Sequence, residues 1–514
     1  MTRTENSTKN MYTGLIYQVL VLIFRFITRT VFIYCLGEKY LGINGLFSNI
    51  LNLLSLADLG IGAALVFALY KPIAEKNEER QKVIVDYLHK LYVYIGFAII
   101  VIGIMLLPVL KYIIKDNVDF INLNIVFLIY IFQTASTYLF FPSKTEFLCA
   151  NQQRYVYNNI ANFIVIMSNI CQIIVLIIFK NFIIYLITII IFNILQAYLV
   201  SKKTNEMYPF IKEKTEKKLT RDEKKEIFKD CGSLMIYRIN YVVMIATDNI
   251  IVSKYLGLAT VGIYSNYTLI VNSVVNVLST FFDSITASIG NLHAKTEKEK
   301  DYFIFKVTNL ITVIMFGIFS IGIYVLANEF IIIWLGEKYV LSEAFALILA
   351  INLYVEGLRK FLSTYRTSYG LFRQAKIIPL FGMIANIVIS IILVKKIGIF
   401  GVLLGTLISN LITFMWYDPY AIYKYSFEKK PIDYYCRNLL YFAFFCVMGF
   451  LCKKIYVILN VKGIIGFIIG GIICVIIPLL LISIIIGQTE CGKYIKNIIS
   501  EIIKKIKYRK KGKK

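Results

Sequence analysis

The sequence predicts an all-α integral membrane protein of about 14 transmembrane helices, and three observations carry that expectation. Of the 514 residues, 58% are hydrophobic and only 17% charged, with a mean hydropathy of +0.70, a balance that soluble enzymes do not have. Apolar stretches of roughly 20 residues, the length needed to cross about 30 Å of hydrocarbon, recur along the chain. The Lys and Arg behind the formal net charge of +25 gather in alternate loops, which is the positive-inside pattern of a multispanning protein and argues against a nucleic-acid partner.

Taken in order, a polar tail over residues 1–10, without a cleavable signal peptide, leads into apolar segments at about 11–35, 41–69, 88–113, 119–142, 156–179, 182–201, 231–253, 261–290, 303–327, 341–365, 375–394, 398–423, 434–452 and 463–487. The even number puts both termini on one side, and the charge distribution makes that side cytosolic. Two basic stretches interrupt or end the series. The loop Ser201–Asp230 has ten Lys or Arg, and the tail Lys493–Lys514 has ten more; both are expected to be solvated or to lie against anionic lipid. The expected organisation is an N-terminal lobe over 11–201, a basic loop over 202–230, a C-terminal lobe over 231–424, two appended helices over 425–487 and a basic tail over 488–514.

The first two segments hold polar groups where lipid should exclude them. Arg25 and Arg29 are four residues apart and share one helix face with Gln18. Asn44, Ser48, Asn52, Ser55 and Asp58 draw a second stripe, in steps of four, four, three and three. Charges at bilayer depth cost several kcal/mol, so such stripes must face protein or water and mark a pathway or cavity. An internal ion pair of Arg25 with Asp58 would satisfy the same constraint.

The chain also repeats itself at an offset of 220 residues, Leu36-Gly37, Gly42-Ile43 and Ile50 returning as Leu256-Gly257, Gly262-Ile263 and Ile270. The second stripe runs Ser265, Thr268, Asn272, Asn276, Ser279, Asp283 and Thr286, behind a helix carrying Arg238 and Asp248. Two six-helix lobes related by a pseudo-twofold axis along the membrane normal are therefore expected, with a site between them. A further charged set, Glu356, Arg359, Lys360, Ser363 and Arg366, occupies the expected cytosolic half of the tenth helix. There Lys360 and Arg366 are expected to snorkel to the headgroups. The nine scattered cysteines show no CxxC, and the only histidines are His89 and His293, which leaves no His-rich metal site.

Arg29-Thr30-Val31-Phe32, Cys35 through Gly42, Leu56 through Gly62, Leu148 through Gln152, Tyr365 through Phe372, Lys376 to Pro379 and Gly398 through Thr406 together resemble the bacterial polysaccharide repeat-unit flippases. These form the polysaccharide transporter branch of the multidrug/oligosaccharidyl-lipid/polysaccharide exporter superfamily. The resemblance runs over roughly residues 11–490. It implies fourteen helices in two six-helix lobes that open alternately to either side of the bacterial cytoplasmic membrane. The implied substrate is an undecaprenyl-diphosphate-linked oligosaccharide, and the implied protein partners are the polymerase or glycosyltransferases of the same pathway. It implies no cofactor, with proton or sodium return as the means of resetting.

A lipid-linked sugar diphosphate needs fixed cations and hydroxyl partners in a dry path, and arginine suits it because its fork donates paired bonds and stays protonated. On this reading Arg25, Arg29 and Arg238 clamp the diphosphate, and Asn52, Asn272 and Asn276 meet sugar hydroxyls. Tyr264 and Tyr267 stack on pyranose faces, Arg359 meets substrate at the inner entrance, and Asp58, Asp248 and Glu356 are the candidate ion-coupling acids. Kinks at Pro108, Pro142, Pro379 and Pro478 either bend helices during exchange or are simply tolerated. Two alternatives of the same fold stay open, a drug antiporter and a peptidoglycan-precursor flippase. A membrane glycosyltransferase or polymerase would need a folded outer loop longer than about 15 residues, and none is expected. No nucleotide-binding glycine loop occurs, so ATP is not the direct energy source.

Overall fold

The structure, a computed structural model, describes residues 3–55, 61–116, 121–140, 142–151, 153–213, 217–224, 231–295, 297–371, 377–485, 487–497 and 500–501. Asp58 lies outside the described residues, as do the side chains of Gln18, Arg238 and Asp283. All regular structure among the described residues is helical, as expected where backbone polar groups must be satisfied within the segment that crosses lipid. Each expected apolar segment contains helix. Nine described helices are long and apolar enough to cross a bilayer by themselves, or ten if one bent pair crosses together. The chain divides into two compact units, Met1–Ser265 and Asn266–Lys514.

The first unit contains α1 (Arg3–Leu36), α2 (Glu38–Leu54), α3 (Ile61–Ala74), α4 (Glu78–Leu106), α5 (Leu110–Ile113), α6 (Leu123–Leu139), α7 (Pro142–Ala150), α8 (Arg154–Phe179), α9 (Phe182–Met207), α10 (Cys231–Leu256) and the opening turns of α11 (Leu258–Lys295). Asparagine side chains start several of these. Asn77 caps α4 by accepting from the Arg80 amide at 2.9 Å, Asn122 caps α6 and Asn181 caps α9, each satisfying an orphan donor of the first turn. One core gathers Val83, Leu88, Tyr92, Ile99 and Phe147 from α4 and α7.

The 220-residue repeat becomes physical at the start of α2 and α11. Both helices follow a glycine of positive φ, 89° at Gly37 and 92° at Gly257, a conformation that a side chain would strain. The two helix starts then cross through their equivalent glycines. A Cβ on Gly42 would lie 2.0 Å from the Leu258 carbonyl oxygen, and one on Gly262 would lie 2.3 Å from that of Glu38. Since 38 and 258 are also equivalent under the offset, each copy contributes the same glycine and the same carbonyl to the contact, a small-residue crossing of the kind that packs helices in lipid.

The basic loop differs from expectation. Its described residues 208–213 and 217–224 fold against α4 and α7: Arg80 pairs with Glu223 at 2.6 Å, Lys82 with Glu213 at 2.6 Å and Lys217 with Glu79 at 2.8 Å. Leu219 enters the core at 5% exposure, and Phe147 meets Tyr208 and Phe210 edge-on. Counting its cations alone suggests a solvated segment. The interspersed Glu213, Glu223 and apolar residues give it an inner face.

The second unit continues α11 and adds α12 (Lys298–Leu335), α13 (Glu343–Ser368), α14 (Ile378–Ile397), α15 (Ile399–Ile412), α16 (Phe414–Ile422), α17 (Ile432–Leu459) and α18 (Gly463–Ile485). Its centre is α12, 61% buried over its apolar window, whereas α17 and α18 are 22% buried over theirs. The last two helices thus turn most of their apolar surface outward, toward lipid, while Phe445, Cys452 and Cys474 join α12 and α13 in one core. α13 is not among the nine apolar helices, because Glu356, Arg359 and Lys360 occupy its interior.

Candidate functional site

In the first unit, the polar face of α1 is held by its neighbours. Thr28 is buried and donates to Asn169 Oδ1 on α8 at 3.0 Å, and Asn169 in turn donates to the Val165 carbonyl at 2.7 Å. Phe32, one turn on, packs edge-on against Phe182 and Tyr185. These contacts fix the rotation of α1. Arg29, the next residue round the helix, is half-buried and donates from Nη2 to Ser265 Oγ, whose own hydroxyl proton goes to the Gly262 carbonyl at 2.7 Å. An expected clamp residue and the first residue of the second stripe are thereby brought together.

Arg25 and Asn52 are exposed on their helices. Among the described residues Arg25 has no ion pair, and the Asp58 carboxylate considered as its partner lies outside them. Asn44 of the first stripe accepts from the Tyr130 hydroxyl, so that end of the stripe holds α2 to α6. Arg238 falls on α10, its side chain outside the description, and Asp248 is buried on the same helix at 8% exposure. A further polar row was not singled out in the sequence: Ser168, Asn169 and Gln172 on α8 are all buried, with Gln172 donating to Ser168 Oγ at 2.7 Å. Their spacing of one and three residues is the signal, masked by the apolar residues that dominate α8.

In the second unit, Asn272 and Asn276 are exposed on α11, whose stretch Leu258–Phe282 is the least apolar of the nine described helices long and apolar enough to cross a bilayer. Tyr267 has another role than stacking on sugars. It is fully buried, its hydroxyl donates to Asn328 Oδ1 at 2.8 Å and accepts from the Leu341 amide at 2.8 Å, and its ring meets Phe345. Tyr264 is likewise buried, at 5% exposure, so neither ring is open to a pyranose.

The charges of α13 form a network with α16. Arg359 is 3.6 Å from Glu356, and its guanidinium sits 4.8 Å above the Phe414 ring. Arg366, expected to snorkel outward, is instead buried and donates from Nη1 to Asp418 Oδ2 at 2.5 Å, the two side chains being 6% and 1% exposed. The reason is Asp418 itself, an acid inside α16 that offers a partner closer than the headgroups. Beyond the end of α13, Tyr369 donates to Asp301 Oδ1 at 2.8 Å, His293 Nδ1 meets Asp301 Oδ2 at 2.7 Å, and the two rings stack at 3.8 Å. This cluster ties the ends of α11, α12 and α13 together.

Polar and cationic side chains exposed on helices rich in apolar residues are chemically suited to a hydrated path for an anionic, hydroxyl-rich solute. The fold is that of multi-pass membrane transporters. It superposes on a lipid II flippase, MurJ, in an inward closed conformation with a TM-score of 0.66 at 15% identity, covering 93% of this chain and 98% of that one. It also matches an inward-facing multidrug resistance MATE family transporter of the MOP superfamily, with a TM-score of 0.58 at 14% identity over 78% and 93% of the two chains. The MATE transporter VcmN of Vibrio cholerae gives a TM-score of 0.58 at 14% identity over 84% and 99%. Residues 41–344 match the model of the polysaccharide biosynthesis protein family, and this chain belongs to that family. A comparison with curated proteins gives no match.

Proposed function

We propose that the protein moves undecaprenyl-diphosphate-linked oligosaccharide repeat units from the inner to the outer leaflet of the bacterial cytoplasmic membrane, by alternating access, for surface polysaccharide synthesis. The observation that carries this reading is the exposure of Arg25, Asn52, Asn272 and Asn276 on helices of apolar sequence, where groups of that kind need water or a polar solute beside them. Membership of the polysaccharide biosynthesis family supports the glycan, and arginine supports the diphosphate, since its fork pairs with phosphate oxygens. In this mechanism Arg25 and Arg29, with Arg238, receive the diphosphate while the polyprenyl tail stays in lipid. Asn52, Asn272 and Asn276 exchange hydrogen bonds with the sugar, and Arg359 meets the substrate on the cytosolic side. No covalent step is required.

The test is complementation of a strain lacking its repeat-unit flippase. Wild type restores surface polysaccharide, and Arg25→Ala abolishes it at normal protein abundance, because each charge-assisted bond removed is worth about 1.5–3 kcal/mol. Arg25→Lys rescues in part, an ammonium lacking the paired geometry. Full function of Arg25→Ala rejects the clamp. Likeness to a lipid II flippase gives a second reading with its own outcome: rescue of a strain depleted of that activity, without rescue of the polysaccharide strain, makes the peptidoglycan precursor the substrate.

A further inference from the structure

In the first unit, at the helix ends opposite the folded basic loop, polar contacts tie the two copies of the repeat together. α4 starts beside that loop and is followed by α5 and residues 114–116, which belong by sequence to the first copy. The corner between α10 and α11 belongs to the second copy. Three bonds join them. Asp116 Oδ2 accepts from the Leu258 amide at 2.6 Å, Lys115 Nζ donates to the Tyr255 carbonyl at 3.1 Å, and Ser253 Oγ donates to the Ile113 carbonyl at 3.3 Å.

The first of these is the strongest, because Leu258 is the first residue of α11. Its N–H is an orphan donor at the positive end of a helix, where a carboxylate is the favoured partner. Gly257 makes room for the acid: a Cβ there would lie 3.0 and 3.1 Å from the two Asp116 carboxylate oxygens. At Gly37, the equivalent position in the first copy, an added Cβ would meet nothing within 4 Å. The acid sits over one copy of the corner and not the other, so the repeat by itself does not call for it. Asp116 is half-buried and Lys115 exposed, and on release both find water. Leu258 is fully buried. A buried N–H without a partner is costly, so Asp116 can leave only if water enters the corner.

We propose that residues 113–116 form a latch for this end of the transport path, which the charge distribution makes extracytoplasmic. With Asp116 on the Leu258 amide the end is closed; opening breaks that bond and admits water to the α10–α11 corner. The inference rests on the alternating access proposed above and not on the identity of the substrate. Removing the carboxylate takes a contact from the closed state alone and shifts the population toward the open one.

Two readouts on the full-length chain test the latch. Deuterium uptake of residues 253–262 is followed by mass spectrometry in nanodiscs. In intact cells, Asn272→Cys, exposed on α11, is labelled with a membrane-impermeant maleimide, the wild type giving the background from native cysteines. Asp116→Ala is expected to speed exchange of the Leu258 amide and labelling of Asn272→Cys, each by roughly fivefold or more. Asp116→Asn keeps a neutral acceptor, about half as strong, and falls between; being nearly isosteric, it decides the matter if the alanine variant folds poorly. Lys111→Ala, on α5 but outside the three bonds, leaves both rates unchanged. A change in one readout alone makes Asp116 a local helix cap and overturns the latch, as does no change in either or an equal change in Lys111→Ala. Neither readout uses a substrate. Faster labelling of Asp116→Ala, with a wild type that fails to complement the flippase-deficient strain, keeps the latch and rejects the substrate reading; unchanged labelling with full complementation does the reverse.

Discussion

At the scale of single residues, the Arg366–Asp418 pair shows how a buried charge dictates its surroundings. With both side chains almost completely buried and 2.5 Å apart, removing one takes from the other its direct ion pair in a place that water does not reach. Loss of one partner of a buried pair costs about 3–5 kcal/mol, while replacing both with apolar residues of similar volume is often neutral. Arg366→Met is therefore expected to lower thermal stability in detergent sharply, and the double variant Arg366→Met/Asp418→Leu to recover most of it. The measurement is the unfolding midpoint of the three proteins. Equal midpoints for wild type and Arg366→Met would show that the pair does not hold α13 to α16. Arg359 is only partly buried beside Glu356 and Phe414.

At the scale of elements, the crossing of α2 with α11 depends on the absence of two side chains. Neither carbonyl can retreat without breaking a helix, so Gly42→Leu or Gly262→Leu must push the helices apart. Both variants are expected to lose folded protein in the membrane, measured as monodisperse yield after extraction. Gly37→Ala, with nothing near its added Cβ, costs only the backbone strain of φ 89°, ψ 176°, a region essentially confined to glycine, about 1–3 kcal/mol, and is expected to lose less folded protein than either leucine variant. Normal yields from both leucine variants would reject the close crossing.

The basic loop gives a pH prediction at the same scale. The Glu223 carboxyl is held below its ordinary value of 4.5 by hydrogen bonds from the Thr220 amide first and then from Arg80. A depressed carboxyl contributes to docking above its unfolded value, and that contribution is lost as pH falls through the folded one. Proteolysis of the docked loop should therefore be unchanged from neutral pH down to the ordinary carboxylate range and accelerate below it. Glu223→Gln should be cleaved faster already at neutral pH. If cleavage of wild type and variant is the same at all pH values, the Arg80–Glu223 contact does not hold the loop.

What was legible in the sequence follows from which interactions are local. Intramembrane Arg29 and the stripe of α11 stand out because period and polarity are properties of one helix, and the 220-residue repeat correctly paired Gly42 with Gly262. Partners far apart in sequence could not be seen. Asp418 sits in a stretch read only for its hydropathy, and His293, Asp301 and Tyr369 come from three different helix ends. Tyr267 illustrates the opposite error, since a tyrosine on a polar stripe looks available until the Asn328 and Leu341 partners that bury it are known.

At the scale of the whole molecule, transport needs a source of energy, and the remaining prediction concerns it. Consumption of the glycan outside can draw net movement, but resetting driven by proton or sodium return requires an acid whose charge changes within the membrane. Asp58, Asp248 and Glu356 are the candidates. Glu356 already has Arg359 beside it at 3.6 Å, and Asp248 is buried on α10, whereas Asp58 ends the stripe that begins at Asn44 and is our first choice. In reconstituted vesicles, transport of a lipid-linked oligosaccharide is expected to rise with an imposed inward proton or sodium gradient. Asp58→Asn is expected to keep basal exchange and lose the gradient response, while Asp248→Asn and Glu356→Gln retain it. If wild type ignores both gradients, or Asp58→Asn responds in full, Asp58 is a structural partner and the coupling lies on another acid or is absent.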